Sequence, residues 1–124
     1  MLELTINDNV YQFNFGMGFL REINKQVSTP VDGLPDVKRN IGLRYMVLCI
    51  IDGDPEALVD ILFAANIGQN PRITRNALDA YLDNPNTDVD ALSAEVLDFL
   101  RSANVTKKTV NTLMEEIEKR KAEN

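Results

Sequence analysis

Residues 2–15 read LELTINDNVYQFNF, and apolar and polar side chains alternate along both halves of this stretch. Alternation at period two is typical of β-strands that bury one face. We predict a two-residue loop at Asp8-Asn9, because this pair tolerates the positive φ angles of tight hairpin turns. A shift of one residue in the pairing of the strands would move every side chain to the opposite face, so the buried face is well specified. The apolar pairs predicted across the hairpin are Ile6–Tyr11, Leu4–Phe13 and Leu2–Phe15.

The segment after the hairpin changes from strand to helical periodicity. Gly16 and Gly18 permit a tight exit from the strand, and a helix is predicted over residues 18–27. Residues 28–35 are rich in proline and glycine and are predicted to form a loop. The apolar side of this first helix comprises Phe19, Leu20, Ile23 and Val27.

A second helix is predicted over residues 36–51. Its last turns are apolar all round, which indicates central burial, and a β-strand over residues 45–51 is the alternative interpretation. Asp52-Gly53 ends the element, because glycine suits a left-handed cap position. The apolar face predicted for this helix comprises Val37, Ile41, Tyr45 and Leu48.

Four further helices are predicted, and capping residues mark three of them. Asp54 is the predicted N-cap of the first, and the second is a short helix that begins at Ile73 or Thr74 and ends at Leu82. Thr87 opens the third with a capping-box pattern, and Thr106 caps the last. The helix after Asp54 has its apolar stripe at Ala57, Leu58, Ile61, Leu62 and Ala65. The stripe of the last helix comprises Val110, Leu113, Met114 and Ile117.

These patterns predict an α+β fold that is mostly α, with an N-terminal two-stranded β-hairpin followed by five or six helices. The length is typical of a single domain over residues 1–124. Within it we predict the hairpin at 1–15, a helical body at 16–117, and a charged, frayed tail at 118–124.

The composition disfavours two classes of partner. The net charge is −6 and 44% of the residues are hydrophobic. An acidic chain disfavours binding to nucleic acid and to anionic membranes, since both need clustered lysine and arginine. Residues 77–99 carry six acidic side chains and no basic one. This segment is either a solvated face or a patch that attracts a basic partner segment.

The location of the protein is predicted from three features. Cys49 is the single cysteine and lies in an apolar run, so it cannot form an internal disulfide and suits a reducing compartment. The N-terminus is strand-like and acidic at Glu3, which predicts no signal peptide. The longest apolar run is too short to span a membrane. We therefore predict a cytoplasmic protein.

Catalysis and metal binding are not predicted. The chain lacks histidine, which is the commonest general base near neutral pH and the commonest zinc ligand. Gly16-Met17-Gly18 lies between a strand and a helix but lacks the rest of any phosphate-binding motif. Residues 84–95 imitate the ligand spacing of an EF-hand, yet Val89 stands where glycine is required, so a helix cap is the simpler interpretation. We predict no catalytic residue, no cofactor and no metal.

Residues 6–24, INDNVYQFNFGMGFLREIN, resemble the start of tail assembly chaperones from long-tailed (siphovirus-type) phages and prophages of Gram-positive bacteria. In that family the pattern is Ile-Asn, a short turn, Tyr-x-Phe-x-Phe-Gly, then Phe-Leu with a charged pair and an aliphatic residue. The motif covers about a fifth of the chain, and the length, acidic balance and helical remainder also fit.

The resemblance implies a non-enzymatic binding role. Such proteins bind the tape measure protein, keep it soluble until tail tube subunits polymerise around it, and are absent from the finished virion. Many are also made as a longer, frameshifted form whose extension recruits the tail tube protein. Glu118-Lys119-Arg120-Lys121 is compatible with a slippery run of codons at that place.

The resemblance also implies a homo-oligomer with a spiral or ring-like form. The hairpin has a free edge for pairing with a neighbour, and apolar residues near both ends of the chain are candidates for partner binding or self-association. The alternative for these residues is a place in the monomer core. The candidates are Tyr11, Phe13, Phe15, Phe19, Leu20, Ile23, Val110, Leu113 and Ile117.

A second function class remains open from the sequence. A small acidic regulatory or inhibitor protein, such as a DNA mimic or an anti-host factor, would use an acidic face to bind a basic partner. Mimicry needs a long, continuous acidic surface. The basic residues between 107 and 121 argue against such a surface.

Overall fold

The structure is a computed structural model that describes residues 1–123. Six helices and two β-hairpins are found in this range, so the predicted α+β, mostly α fold is confirmed, and a second hairpin is added to it. In chain order the elements are β1 (Leu2–Ile6), β2 (Asn9–Phe13), α1 (Met17–Asn24), β3 (Ser28–Val31), β4 (Leu34–Asn40), α2 (Gly42–Ile51), α3 (Pro55–Ala65), α4 (Arg75–Asp83), α5 (Val89–Ser102) and α6 (Lys107–Glu123).

The first hairpin buries the predicted face but in a different register. Its turn residues are Asn7 and Asp8, with φ angles of 52° and 65°. The predicted loop at Asp8-Asn9 is wrong by one position, and the cross-strand register is therefore wrong by two residues. A shift by two leaves every side chain on the same face, so the apolar side of β1 is buried as expected. The observed pairs include Leu2–Phe13, Leu4–Tyr11 and Ile6–Asn9.

This turn predicts a simple gain in stability. Asp8 adopts a left-handed conformation, which costs a non-glycine residue about 1–2 kcal/mol and costs glycine little. We expect Asp8→Gly to raise the free energy of unfolding by up to about 1 kcal/mol in urea denaturation. Asn9→Gly is the matched control: Asn9 lies in β2, where glycine weakens a strand. Equal effects of the two changes would contradict this account of the turn.

Helix α3 lies at the centre of the helical body. It packs against α1, α2 and α4, and most of its residues are buried because its apolar stripe, as predicted, faces several elements at once. One hydrophobic cluster extends from β1 to α6. Phe15 joins the two ends of this cluster, with its ring centroid 5.1 Å from that of Phe19 and 5.9 Å from that of Phe99.

Residues 28–40 form an antiparallel hairpin where the sequence predicts a loop and the start of a helix. The predicted loop at 28–35 and the predicted helix start at 36 are both wrong. All of β4 is exposed to solvent, so no core face imposes an apolar pattern on it. Pro30 and Pro35 also make the sequence pattern typical of a loop. We call residues 28–40 the arm.

Helix α2 begins at Gly42 and continues to Ile51. Residues 45–51 are therefore helical, and the alternative of a strand is excluded. The predicted apolar face of this helix is wrong: Val37 lies in β4, and Tyr45 and Leu48 are 48% and 37% exposed. Because the predicted helix begins too early, its predicted apolar face differs from the face that α2 buries. The buried side chains of α2 are Leu43, Met46, Val47 and Ile50.

The start of α2 lies directly against the end of α1. A Cβ atom placed on Gly42 would be only 1.6 Å from the carbonyl oxygen of Ile23. The Oδ1 atom of Asn24 accepts a hydrogen bond from the backbone N–H of Leu43 at 2.9 Å. This contact satisfies one of the unpaired N–H groups in the first turn of α2, so α1 and α2 are joined by close packing and a cap.

The predicted caps at Gly53 and Asp54 are confirmed. Asp54 accepts from Glu56 N, with Pro55 in the first turn of α3, and Gly53 has the predicted left-handed conformation, at φ 86°. Helix α5 is capped by Asp88, whose side chain accepts from Ala91 N, so the predicted cap at Thr87 is wrong by one residue.

Thr106 precedes α6 as predicted, but its hydroxyl acts as a donor. It is fully buried and donates to the carbonyl oxygen of Leu100 at 2.7 Å. The hydroxyl thus joins α6 to α5. Helix α6 continues through Glu123, beyond the predicted end of the helical body at residue 117. Asn124 lies outside the described residues, and fraying of the last exposed turns stays a prediction.

Asn66 is a buried polar side chain at the end of α3 that connects three parts of the fold. Its amide group donates to the carbonyl oxygens of Gln12 at 2.9 Å and Pro71 at 3.3 Å. Its carbonyl oxygen accepts from Ile73 N at 2.7 Å and from Arg72 at 2.9 Å. These bonds fix β2 and the segment before α4 against α3.

Candidate functional site: interaction surfaces on the helical body

The predicted self-association residues lie mostly inside the protein. Six of the nine are buried in the core, where they pack the hairpin, α1 and α6 against the rest of the body. Tyr11, Leu20 and Ile117 are only half-buried. A role in self-association stays a prediction for all nine, and the buried ones would need the core to open. The buried six are Phe13, Phe15, Phe19, Ile23, Val110 and Leu113.

An apolar groove runs along α5, between this helix, the α2–α3 joint and α6. We call it the α5 groove, and its volume is about 380 Å³. Ser93 and Ala94 form a small-residue stretch along it, and Asp54 and Asp90 lie at its rim. Grooves with apolar walls and a few polar groups are the usual form of a binding site. The apolar walls are formed by Ile50, Ile51, Pro55, Val89, Leu97 and Met114.

An acidic groove of about 540 Å³ lies between α3 and α4, and we call it the α3–α4 groove. Its apolar floor consists of Pro55, Val59 and Leu82. Acidic side chains lie on both walls: Glu56 and Asp60 on α3, Asp79 and Asp83 on α4. The groove contains a single lining base, Arg75, which pairs with Asp60 at 2.6 Å. The acidic excess therefore remains unbalanced in this groove.

Two arginines stack on one aromatic ring beside the α3–α4 groove. The guanidinium groups of Arg72 and Arg75 lie 4.1 Å and 4.4 Å from the centroid of the Phe63 ring. Burial lowers the pKa of Arg72 and the neighbouring charge of Arg75 lowers it further. Arg72 also donates to the Phe63 carbonyl oxygen and to Asn66. Its guanidinium group therefore holds the end of α3 in place.

The arm extends from the body as a two-stranded hairpin. Its strands pack mainly on each other, and none of the helices forms a substantial interface with them. Leu34 and Val37 are 55% and 49% exposed. A hydrogen bond from Ile41 N to the Val27 carbonyl oxygen, at 2.9 Å, closes its base. An exposed hairpin with apolar side chains is a form of surface that binds partners in many proteins.

A basic groove lies at the base of the arm, between α1, α2 and α6. Arg39, Arg44 and Lys108 line it, and its lining contains no acidic residue. Arg44 pairs with Glu116 of α6 at 2.5 Å. This ion pair partly neutralises the positive charge that Arg44 contributes to the groove. The basic groove and the acidic α3–α4 groove give the molecule two surfaces of opposite charge.

Comparison with known protein families decides the class of this protein. Residues 3–115 match the family described as phage tail assembly chaperone protein, TAC. The chain belongs to this family. The match extends far beyond the 19-residue motif at the N-terminus and includes the arm and all of the grooves described above. No similarity was found to a curated protein or to a solved structure.

The surfaces of this tail assembly chaperone suit binding rather than catalysis, as its family implies. The EF-hand-like residues serve as local backbone partners: Asn84 accepts from Asn86 N, and Asp88 caps α5. Within residues 1–123, no group of three or more cysteine, aspartate or glutamate side chains is arranged to hold a metal ion. Over the same residues, no helix has the length and apolar content needed to cross a lipid bilayer.

Proposed function

We propose that this tail assembly chaperone binds the tape measure protein of a long-tailed phage or prophage of Gram-positive bacteria. It keeps that protein soluble in the cytoplasm of the host, helps to recruit tail tube subunits, and is absent from the mature virion. The family match over residues 3–115 is the observation that carries this proposal. The role needs no cofactor and no catalytic group.

The α5 groove is the proposed client-binding surface. A tape measure protein is a long, largely helical chain, and an amphipathic helix binds by laying its apolar face into a groove. The half-buried side chains Val89, Leu97 and Met114 offer such a face. Burial of apolar area contributes about 25 cal/mol per Å². Several moderate contacts along one client would hold it and still permit release when the tube assembles.

A change in the α5 groove is expected to reduce client binding. Ala94 lines the groove and is exposed, so Ala94→Glu places a charge there while α5 remains helical. We expect this variant to bind the tape measure protein at least about tenfold more weakly, because a client helix would have to desolvate the carboxylate. The measurement is co-expression with the tape measure protein, followed by quantification of soluble, co-purifying client.

Ala91→Glu is the matched control for this experiment. It makes the same substitution on the exposed side of the same helix, outside the groove lining, and should leave client recovery unchanged. Failure of the wild-type protein, folded and in excess, to solubilise the tape measure protein would contradict the proposed function. Equal recovery with both variants would remove the α5 groove as the client site but leave the function standing.

Recruitment of tail tube subunits is proposed to use a longer form of the chain. Ribosomal frameshifting near residues 118–121 would add a C-terminal extension that binds the tail tube protein. The extension would continue from α6, which presents these residues on its exposed last turns. The gene sequence tests this directly: a stop codon soon after position 118 in the −1 frame would exclude the longer form.

A further inference from the structure

We propose that the basic groove binds an acidic segment of the tape measure client, as a second contact in addition to the α5 groove. This inference rests on the proposed chaperone function for the identity of the client, and it adds the charge of the segment that is bound. The basic groove lies between α1, α2 and α6 at the base of the arm, with a volume of about 370 Å³.

The lining of the basic groove concentrates positive charge in an acidic protein. The chain has 19 acidic and 13 basic residues, yet Arg39, Arg44 and Lys108 line this groove and none of the acidic residues from 1 to 123 does. The three bases come from β4, α2 and α6, so only the packed fold brings them together. A cleft lined by one sign of charge attracts ligands of the opposite sign.

Two of the three bases are available to a partner. Arg39 and Lys108 are exposed, and neither forms an ion pair with any residue from 1 to 123. Arg44 uses its Nη2 atom to bind Glu116. A guanidinium group carries five N–H donors, so Arg44 keeps donors for a second carboxylate while Glu116 holds its orientation. The groove can therefore bind more than one carboxylate.

An uncharged cleft continues from the basic groove. Val105 lines both the groove and this cleft, which has a volume of about 500 Å³ and contains the rings of Phe15 and Phe99. Within the part of the chain that the structure describes, no charged side chain lines the cleft. On β4, Val37 lies on the same side as Arg39 and is 49% exposed. A segment with carboxylates next to apolar side chains fits this combination.

A protein segment suits the basic groove better than a nucleic acid does. Binding to a phosphate backbone needs an extended track of bases, whereas here three bases adjoin an uncharged cleft and the net charge of the chain is −6. Helix α6 connects the site to the proposed client surface, because Thr112 lines the basic groove and Met114 lines the α5 groove. These two residues lie within one turn of the helix, so one client can reach both grooves.

Peptides from the client test the contact. The probes are labelled, overlapping synthetic peptides that cover the tape measure protein of the same genome, and the full chain is titrated into each while fluorescence anisotropy is measured. We expect acidic peptides to bind more tightly than neutral or basic ones. Their affinity should fall as salt is added, because ions screen exposed charges.

Charge reversal in the groove should weaken binding of the acidic peptides by at least about tenfold in the variant R39E/K108E. Both residues are exposed, so circular dichroism is expected to show unchanged folding. The variant R39K/K108R keeps both charges and should bind like the wild type. The matched control R120E/K121E makes the same charge change on the exposed last turns of α6 and should also bind like the wild type.

A charge exchange between the peptide and the groove is the decisive experiment. Replacing the Glu and Asp residues of the tightest-binding peptide with Lys should abolish its binding to the wild type and permit binding to R39E/K108E. The variant Ala94→Glu, which changes only the α5 groove, should bind the original acidic peptide like the wild type.

Three results would overturn the inference: acidic peptides that bind no better than neutral ones, equal binding by R39E/K108E and R120E/K121E, or a single-stranded RNA that binds more tightly than any peptide. The proposed function is judged separately, by recovery of the full-length tape measure protein. Recovery without a preference for acidic peptides would reject the inference and leave the function standing. Binding of acidic peptides without recovery would reject the function and leave the groove contact intact.

Discussion

Gly42→Ala is expected to lower the free energy of unfolding by at least about 3 kcal/mol, or to prevent folding altogether. The new Cβ atom would lie 1.6 Å from the carbonyl oxygen of Ile23 and 2.5 Å from its carbonyl carbon. Both are backbone atoms, so no side-chain rotation can relieve the clash. Relief requires α1 and α2 to separate, which breaks the hydrogen bond between Leu43 N and Asn24 Oδ1 and exposes part of the core.

Urea denaturation followed by circular dichroism measures this effect, and Gly18→Ala is the matched control. Gly18 is also in a helix, but an added Cβ there meets nothing within 4 Å. Alanine has the higher helix propensity by about 1 kcal/mol, so this change should stabilise the protein slightly. A Gly42→Ala protein with a stability within about 1 kcal/mol of the wild type would show that the α1–α2 contact is looser than described.

Asn66→Ala is expected to cost about 3 kcal/mol or more. The side chain makes four hydrogen bonds in a site with no solvent exposure. Its loss leaves the N–H of Ile73 and the carbonyl oxygen of Gln12 without these partners, and each buried polar group that loses its partner costs about 1–3 kcal/mol. The loss of the amide also leaves a small cavity at the end of α3.

Two further variants separate the causes of this effect. Asn111→Ala removes an amide that exchanges two hydrogen bonds with Arg101 at the surface and should cost less than about 1 kcal/mol. Asn66→Asp keeps an acceptor for Ile73 and Arg72 but cannot donate to Gln12. We expect its stability, measured by urea denaturation, to lie between those of wild type and Asn66→Ala. Equal losses for the surface and the buried alanine variants would contradict the role assigned to Asn66.

Local patterns predicted the elements that bury a regular face. The alternation in residues 2–15 specified the inner side of the first hairpin, and the stripe after Asp54 specified that of α3. Burial on one side forces apolar residues to repeat at the period of the element, so the sequence carries the signal directly. The turn register failed because Asn7, Asp8 and Asn9 all tolerate tight turns, and a shift of two residues preserves the buried face.

Elements without a buried face gave no such signal. The arm is exposed on both sides, so its strands lack alternation, and Pro30 and Pro35 favour a loop. The predicted second helix included residues 36–40 and therefore began too early. Its predicted apolar face consequently lies away from Leu43, Met46 and Val47, which are the side chains that α2 buries. All nine self-association candidates are apolar or aromatic, and packing places six of them in the core.

The sequence by itself determined the mostly helical fold, the inner face of the first hairpin, the apolar stripe of α3 and the resemblance to tail assembly chaperones, which the family match confirms. Only the tertiary structure decided where the candidate grooves lie. The α5 groove combines residues 50–55, 89–97 and Met114, and the α3–α4 groove combines 55–60 with 75–83. Local periodicity reports which side of one element is buried, whereas a groove exists only after distant elements pack together.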